Sequence, residues 1–131
     1  MSGETVLQGI ELGVGTWAWG DALVWGYGRS YGEADARAAF DASLAAGVRF
    51  FDTAESYGRG QSERLVGRFV RNAGEAVIVA TKFMPFPWRL RRDDLLKALR
   101  ASLRRLGMER VDLYQIHWPF LPVPIETWAG A

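Results

Sequence analysis

Four residues of different chemistry, Asp52, Tyr57, Lys82 and His117, recur at the ends of short apolar runs or just beyond them. The runs are Val48–Asp52 (VRFFD), Ala76–Lys82 (AVIVATK) and Val111–His117 (VDLYQIH), and each closes on one ionisable side chain. Tyr57 follows Asp52 by five residues, close enough to bend back over the same edge. A carboxylate, a phenol, an ammonium and an imidazole held together can move a proton. A phenol with its ordinary pKa of about 10 donates poorly near neutrality. A cation within roughly 4–6 Å favours the phenolate and corrects that. In such a group Lys82 is the cation, Asp52 keeps it charged and in place, and His117 steers a carbonyl oxygen or shares the proton. Taken singly, each has an ordinary reading: Asp52-Thr53 as a turn pair, Lys82 as a solvated strand end, Tyr57 as loop packing, His117 as a buried ring. Their convergence carries the reading.

The elements that must position them alternate. The three runs are rich in β-branched and aromatic residues and have the length of buried strands. A weaker strand, Ile10–Thr16, precedes them, with Thr5–Leu12 around Gly9 as a small N-terminal hairpin. Helical patterns fill the gaps. Glu33–Ala46 aligns Ala36, Ala39, Phe40 and Leu44, and Ser62–Val70 aligns Leu65, Val66, Phe69 and Val70. Asp93–Leu106 carries a leucine stripe, has Asp93 and Asp94 in its first turn, and leaves Lys97, Arg100, Arg104 and Arg105 on a wet face. Strand and helix in turn imply parallel strands with right-handed crossovers. In that architecture catalytic groups collect at the C-terminal ends of the strands, where three of the four residues fall.

The chain has 131 residues, enough for one domain. Sixteen basic and fifteen acidic side chains leave a net charge of +1, which gives no reason to expect a nucleic-acid or anionic-membrane partner. With no cysteine, disulfides, iron–sulfur clusters and thiol nucleophiles are excluded. No stretch approaches the ~20 apolar residues of a membrane helix, and Met1–Gly13 lacks the form of a signal peptide, so a cytoplasmic location is the default expectation. Six tryptophans are costly to leave in water. Several fall in Trp17–Gly32, a long loop with Trp19, Trp25, Tyr27 and Tyr31. It reads either as an aromatic wall of a substrate pocket or as a lid packed on itself. The Arg89, Arg91 and Arg92 cluster reads as a solvated loop and helix start rather than a phosphate site.

Four segments resemble the aldo-keto reductase family: LGVGTW (Leu12–Trp17), AGVRFFDTAESYGRGQSERLVGRF (Ala46–Phe69), VIVATK (Val77–Lys82) and LRRLGMERVDLYQIHWP (Leu103–Pro119). FDTAESYG and DLYQIHWP in this order are specific to it. The resemblance implies a (β/α)8 TIM barrel of the α/β class. Residues 1–131 would supply its N-terminal half, about four of the eight βα units, because a closed barrel needs about 250 residues. The last helix, starting at Ile125, reads as unfinished. The resemblance also implies reduction of an aldehyde or ketone by hydride from NADPH, with a small carbonyl substrate and no metal. Tyr57 is then the proton donor, Lys82 and Asp52 its tuning pair, and His117 the residue that orients the carbonyl. Thr16, Trp17 and Asp52 border the cofactor, and Trp17, Trp19, Trp25, His117 and Trp118 the substrate. The WAWGD…WGYG segment is similar to a bacterial and plant-plastid subgroup, some members of which act on pyridoxal-like aldehydes. By itself the half-barrel is expected to be inactive and to self-associate through open strand edges. A non-catalytic, aldo-keto-reductase-like binding or regulatory module is the alternative.

Overall fold

The computed structural model describes residues 5–131. It comprises β1 (Gly13–Gly15), α1 (Glu33–Ala45), β2 (Phe50–Asp52), α2 (Gln61–Arg71), β3 (Ile78–Phe83), α3 (Arg92–Leu106), β4 (Leu113–Ile116) and α4 (Ile125–Ala129). The strands form one parallel sheet in the order β1-β2-β3-β4. Because each strand pairs with the next in sequence, every crossover runs the same way and the helices collect on one face. That is how a barrel begins, whereas a doubly wound sheet reverses its order at a switch point.

The strands are shorter than the apolar runs, but their ladders continue into the flanking loops. Thr16 donates its N–H to the Asp52 carbonyl at 3.0 Å, Thr53 to Ala80 at 2.9 Å, and His117 to Phe83 at 2.8 Å. The C-terminal rim is therefore held by main-chain bonds past the last strand residue.

The Thr5–Leu12 hairpin does not form. Gln8 N–H bonds to the Thr5 carbonyl at 2.9 Å in a local turn around Gly9, and among the described residues β1 pairs only with β2. With those backbone groups satisfied within the turn, residues 5–12 form no strand to pair with β1.

Strand alternation sorts the side chains into two faces. Phe51, Val79, Thr81, Phe83 and Tyr114 meet the helices, and Asp52, Lys82 and Gln115 take the other face. The larger core joins Phe51 and Val79 to Phe40 and Leu44 of α1, Leu65, Val66 and Phe69 of α2, and Leu106 of α3. The Phe40 and Phe51 rings lie 4.6 Å apart. A second cluster packs Phe83 against Leu95 and Ala98 of α3 and Trp128 of α4. Ala39, expected on the buried stripe of α1, faces solvent. Gly67 lets α2 and α3 approach, since a Cβ there would collide with the Leu106 carbonyl.

Candidate active site

Alternation brings Asp52, Lys82 and Gln115 to the inner face of the sheet, and Lys82 lies in register with Gln115 on the neighbouring strand. The Lys82 ammonium has three acceptors, the full donor count of that group. It reaches Asp52 Oδ2 at 2.8 Å, the Thr53 carbonyl at 2.9 Å and the Tyr57 hydroxyl at 3.3 Å. Its side chain is 12% exposed, so these contacts are partly desolvated. Gln115 donates to the other Asp52 oxygen at 2.9 Å and fixes that carboxylate from β4.

Tyr57 is brought back over the rim by a turn through Tyr57–Gly60 in which Gly58 and Arg59 are left-handed, with φ of 56° and 53°. A side chain at Gly58 would collide with the Gly20 carbonyl, so glycine permits the close approach of this turn to the loop after β1. Beneath it a hydroxyl chain ties the rim together. Thr53 Oγ1 donates to Ser62 Oγ at 2.9 Å, and Ser62 Oγ donates to the Thr16 carbonyl at 2.9 Å.

The aromatic rings complete the surroundings. Trp17 stacks on Tyr57 with centroids 5.9 Å apart and is pinned by its indole N–H on Asp21 at 2.9 Å. His117 meets the Tyr57 ring edge-on at 5.6 Å, and Trp118 stacks on His117. Trp17, Tyr57, Met84, His117 and Trp118 line an open hollow of about 420 Å³ together with Asp21 and Ser56. Burial, then the Lys82 ammonium, pushes the His117 pKa below the ordinary imidazole range, against an opposite pull from Asp52 and Glu55. The ring is therefore neutral at neutral pH. A larger hollow of about 490 Å³ lies between α2 and α3, lined by Arg64, Arg68, Arg71, Arg104 and Arg105. It is on the helical face, away from the quartet.

All four expected residues, Asp52, Tyr57, Lys82 and His117, thus meet on one rim. Three of the expected site residues lie off the hollow. Trp19 is 6% exposed and packs against Phe40, Phe51 and Phe69, so it is a core residue and not a pocket wall. Thr16 is fully buried, with its hydroxyl 2.8 Å from Ser62 Oγ, so its side chain braces the rim instead of facing a ligand. Trp25 is exposed and reaches the site only through its edge contact with Trp17 at 5.8 Å. The rest of the loop divides accordingly: Tyr27 and Tyr31 pair with each other, and the Tyr31 hydroxyl bonds to the Ala18 carbonyl.

Two arginines expected in solvent are also reassigned. Arg89 pairs with Glu55, and its guanidinium donates to the Met84 carbonyl at 2.7 Å. Glu55 in turn accepts from the Met84 N–H at 2.6 Å, so this pair clamps the loop that carries one wall of the hollow. Arg105 pairs with Glu63, which is completely buried. Arg91 and Arg92 are exposed as expected. Glu55, Ser56, Ser62 and Gln115 were not singled out by spacing. The one signal for them is their place within the FDTAESYG, GQSERLVGRF and DLYQIHWP blocks.

Parallel strands that end in a lysine-paired tyrosine beside a histidine define a barrel-type α/β site suited to moving a proton at an oxygen. The chain belongs to the aldo/keto reductase family, whose model matches residues 11–131. It is 44% identical over 117 residues to the chloroplastic pyridoxal reductase of Arabidopsis thaliana, covering 82% of this chain and 32% of that protein. A crystal structure of an aldo-keto reductase from Klebsiella pneumoniae in complex with NADPH superposes with a TM-score of 0.73 at 29% identity, covering 90% of this chain and 38% of that one. A probable voltage-gated potassium channel beta subunit from rice is 33% identical, over 98% of this chain and 40% of its own. The chain thus spans about a third of the length of the curated relatives it matches. Its four strands correspond to the first βα units of the family's (β/α)8 barrel. Among the described residues, no helix is long and apolar enough to cross a membrane.

Proposed function

We propose that this chain forms the proton-donating half of an NADPH-dependent carbonyl reductase. The observation that carries the reading is the Lys82 ammonium, seated on Asp52 and the Thr53 carbonyl with its remaining donor 3.3 Å from the Tyr57 hydroxyl. An alkoxide formed from a carbonyl needs a proton at once. Tyr57 supplies it from its hydroxyl, and the phenolate left behind is stabilised by the adjacent ammonium. Asp52, itself held by Gln115, keeps that ammonium in place. His117, neutral and facing the same hollow, holds the carbonyl oxygen beside the phenol. Trp17 and Trp118 exclude water and offer flat walls, with Trp25 supporting Trp17.

The residues present fit the reacting end of a nicotinamide cofactor. The hollow has aromatic walls, Asp52 is part-exposed behind Lys82 and Tyr57, and no lysine or arginine lines it to take a phosphate. When bound, the cofactor supplies the hydride. Trp17 and Asp52 are the residues of this chain that would border it. With no lysine or arginine among the residues that line the hollow, the 131-residue chain alone turns over little and binds NADPH weakly. Tight, near-stoichiometric fluorescence quenching would contradict this. It also self-associates through its open sheet; a sedimentation profile showing only monomer would contradict that.

The reading is tested in the chain extended to full-barrel length, by NADPH oxidation with 4-nitrobenzaldehyde. Tyr57→Phe is expected to lower kcat by about 10²–10⁴; a rate equal to the parent's would end the assignment. The similarity to a channel beta subunit supports a second reading, a cofactor-sensing regulatory module. That reading predicts cofactor binding without turnover in the same assay. With pyridoxal as the alternative aldehyde, preferential turnover would extend the likeness to the Arabidopsis relative to substrate choice.

A further inference from the structure

His117 uses only one of its two ring nitrogens within the protein. Nδ1 lies 3.3 Å from Ser56 Oγ, while Nε2 has no protein hydrogen-bond partner among the described residues, and the ring lines the hollow. Which nitrogen carries the proton decides whether a ligand meets a donor or a lone pair. A neighbour's hydrogen bond to one nitrogen settles the matter for the other. The Ser56 hydroxyl has no other side-chain or backbone acceptor among the described residues. By donating to Nδ1 it satisfies both groups; by accepting from Nδ1 it would leave its own proton for solvent.

We infer that Ser56 is a positioning residue whose hydroxyl donates to Nδ1 of His117, fixing the ring proton on Nε2 and presenting that N–H to the hollow. The charged groups around the ring are Lys82, Asp52 and Glu55, and Tyr57 meets it edge-on; among the described residues Ser56 is its one hydrogen-bonding side chain. The consequence rests on the carbonyl-reduction reading: an Nε2–H can grip a carbonyl oxygen, whereas a lone pair would repel it.

The tautomer itself is readable without turnover. The chain has one histidine, so the ring ¹⁵N spectrum of histidine-labelled chain reports His117 unambiguously. At a pH where the ring is neutral, the proton is expected on Nε2, with Nδ1 appearing as the hydrogen-bonded, unprotonated nitrogen. Ser56→Ala is expected to shift Nδ1 toward a free nitrogen and to mix the tautomers, and Ser56→Thr to restore the parent pattern. A proton on Nδ1 in the parent, or a spectrum unchanged by Ser56→Ala, overturns the inference. The parent spectrum decides even where a variant misfolds. In the full-length barrel, Ser56→Ala is expected to lower kcat/KM about three- to tenfold, the size of one hydrogen bond, and to displace the acid limb of the pH profile. Ser56→Thr should return both. If the tautomer is as expected but Tyr57→Phe keeps its rate, the reduction reading fails and the role of Ser56 on the ring stands.

Discussion

Adjacent residues on β3 open onto two different charged constellations. Lys82 points to the inner face, where it meets Asp52 and Tyr57 beneath an open hollow. Thr81 points to the helices, where its hydroxyl donates to Glu63 at 2.6 Å in a buried network that includes Arg105, Glu55 and Arg89. Both sets bury charge, and both draw residues from several elements. They differ in what is left over. In the outer network every charged group has an ionic partner and Glu63 is completely buried; Arg105, the member that also lines the hollow between α2 and α3, is already paired. On the inner face the Tyr57 hydroxyl and the His117 Nε2 face a space large enough for a ligand. Buried charge that closes on itself serves the fold, and buried charge with a free donor at its edge serves chemistry.

The largest expected effect breaks the inner set. In the full-length barrel Lys82→Met should lower carbonyl reduction by about 10²–10⁴ while the far-UV circular dichroism stays that of the parent. A loss smaller than tenfold would remove the ammonium from the account. The reverse pattern is expected for the outer set. Glu63→Gln leaves the Arg105 guanidinium without its closest carboxylate, and should cost about 3–5 kcal/mol of stability in a denaturant titration. The molecules that remain folded should keep the parent's kcat.

A smaller effect concerns pH. The folded His117 pKa lies below its ordinary value of 6.5, so the unfolded chain binds more protons in the window between the two. Stability should therefore rise with pH across that window and level off above 6.5, all else equal. Comparing the parent with His117→Asn by thermal melts at several pH values isolates this contribution. An excess of parent over variant that grows toward acid pH would have the wrong sign. The smallest effect belongs to Tyr114, beside the outer network. Its buried hydroxyl has no hydrogen-bond partner among the described residues, and burial, then Glu55, pushes its pKa above the usual phenol range. Tyr114→Phe should leave stability within about 0.5 kcal/mol or raise it slightly, because it removes a polar atom that gains nothing. A loss of several kcal/mol in urea would reveal a partner.

Much of this was legible from one dimension. Apolar runs that end on Asp52, Lys82 and His117 mark parallel strands whose C-terminal ends gather ionisable side chains, because strand and helix in turn impose parallel pairing with right-handed crossovers. The sorting of the tryptophans was not legible. Trp17 and Trp19 stand two residues apart in a glycine-rich loop with no helical or strand period, so composition could not tell that one faces the site and the other the Phe40–Phe51–Phe69 cluster. Arg89 finds Glu55 and Arg105 finds Glu63 across 34 and 42 residues. Ser56 meets His117 across 61. Contacts at such separations come from the packing of the sheet and leave no local pattern. Thr5–Leu12 fails as a hairpin for a local reason: Gln8 and Ile10 donate their N–H groups to the Thr5 and Leu7 carbonyls in a turn, which takes the groups a ladder would need.

A double-mutant cycle on kcat tests most directly whether Lys82 acts through Tyr57. With Tyr57→Phe, Lys82→Met and the double variant assayed in the full-length barrel, the double variant should be no slower than the slower single variant, because the ammonium has no work left once the phenol is gone. Losses that multiply would mean that the two side chains act independently, and the proton-donor arrangement would be wrong.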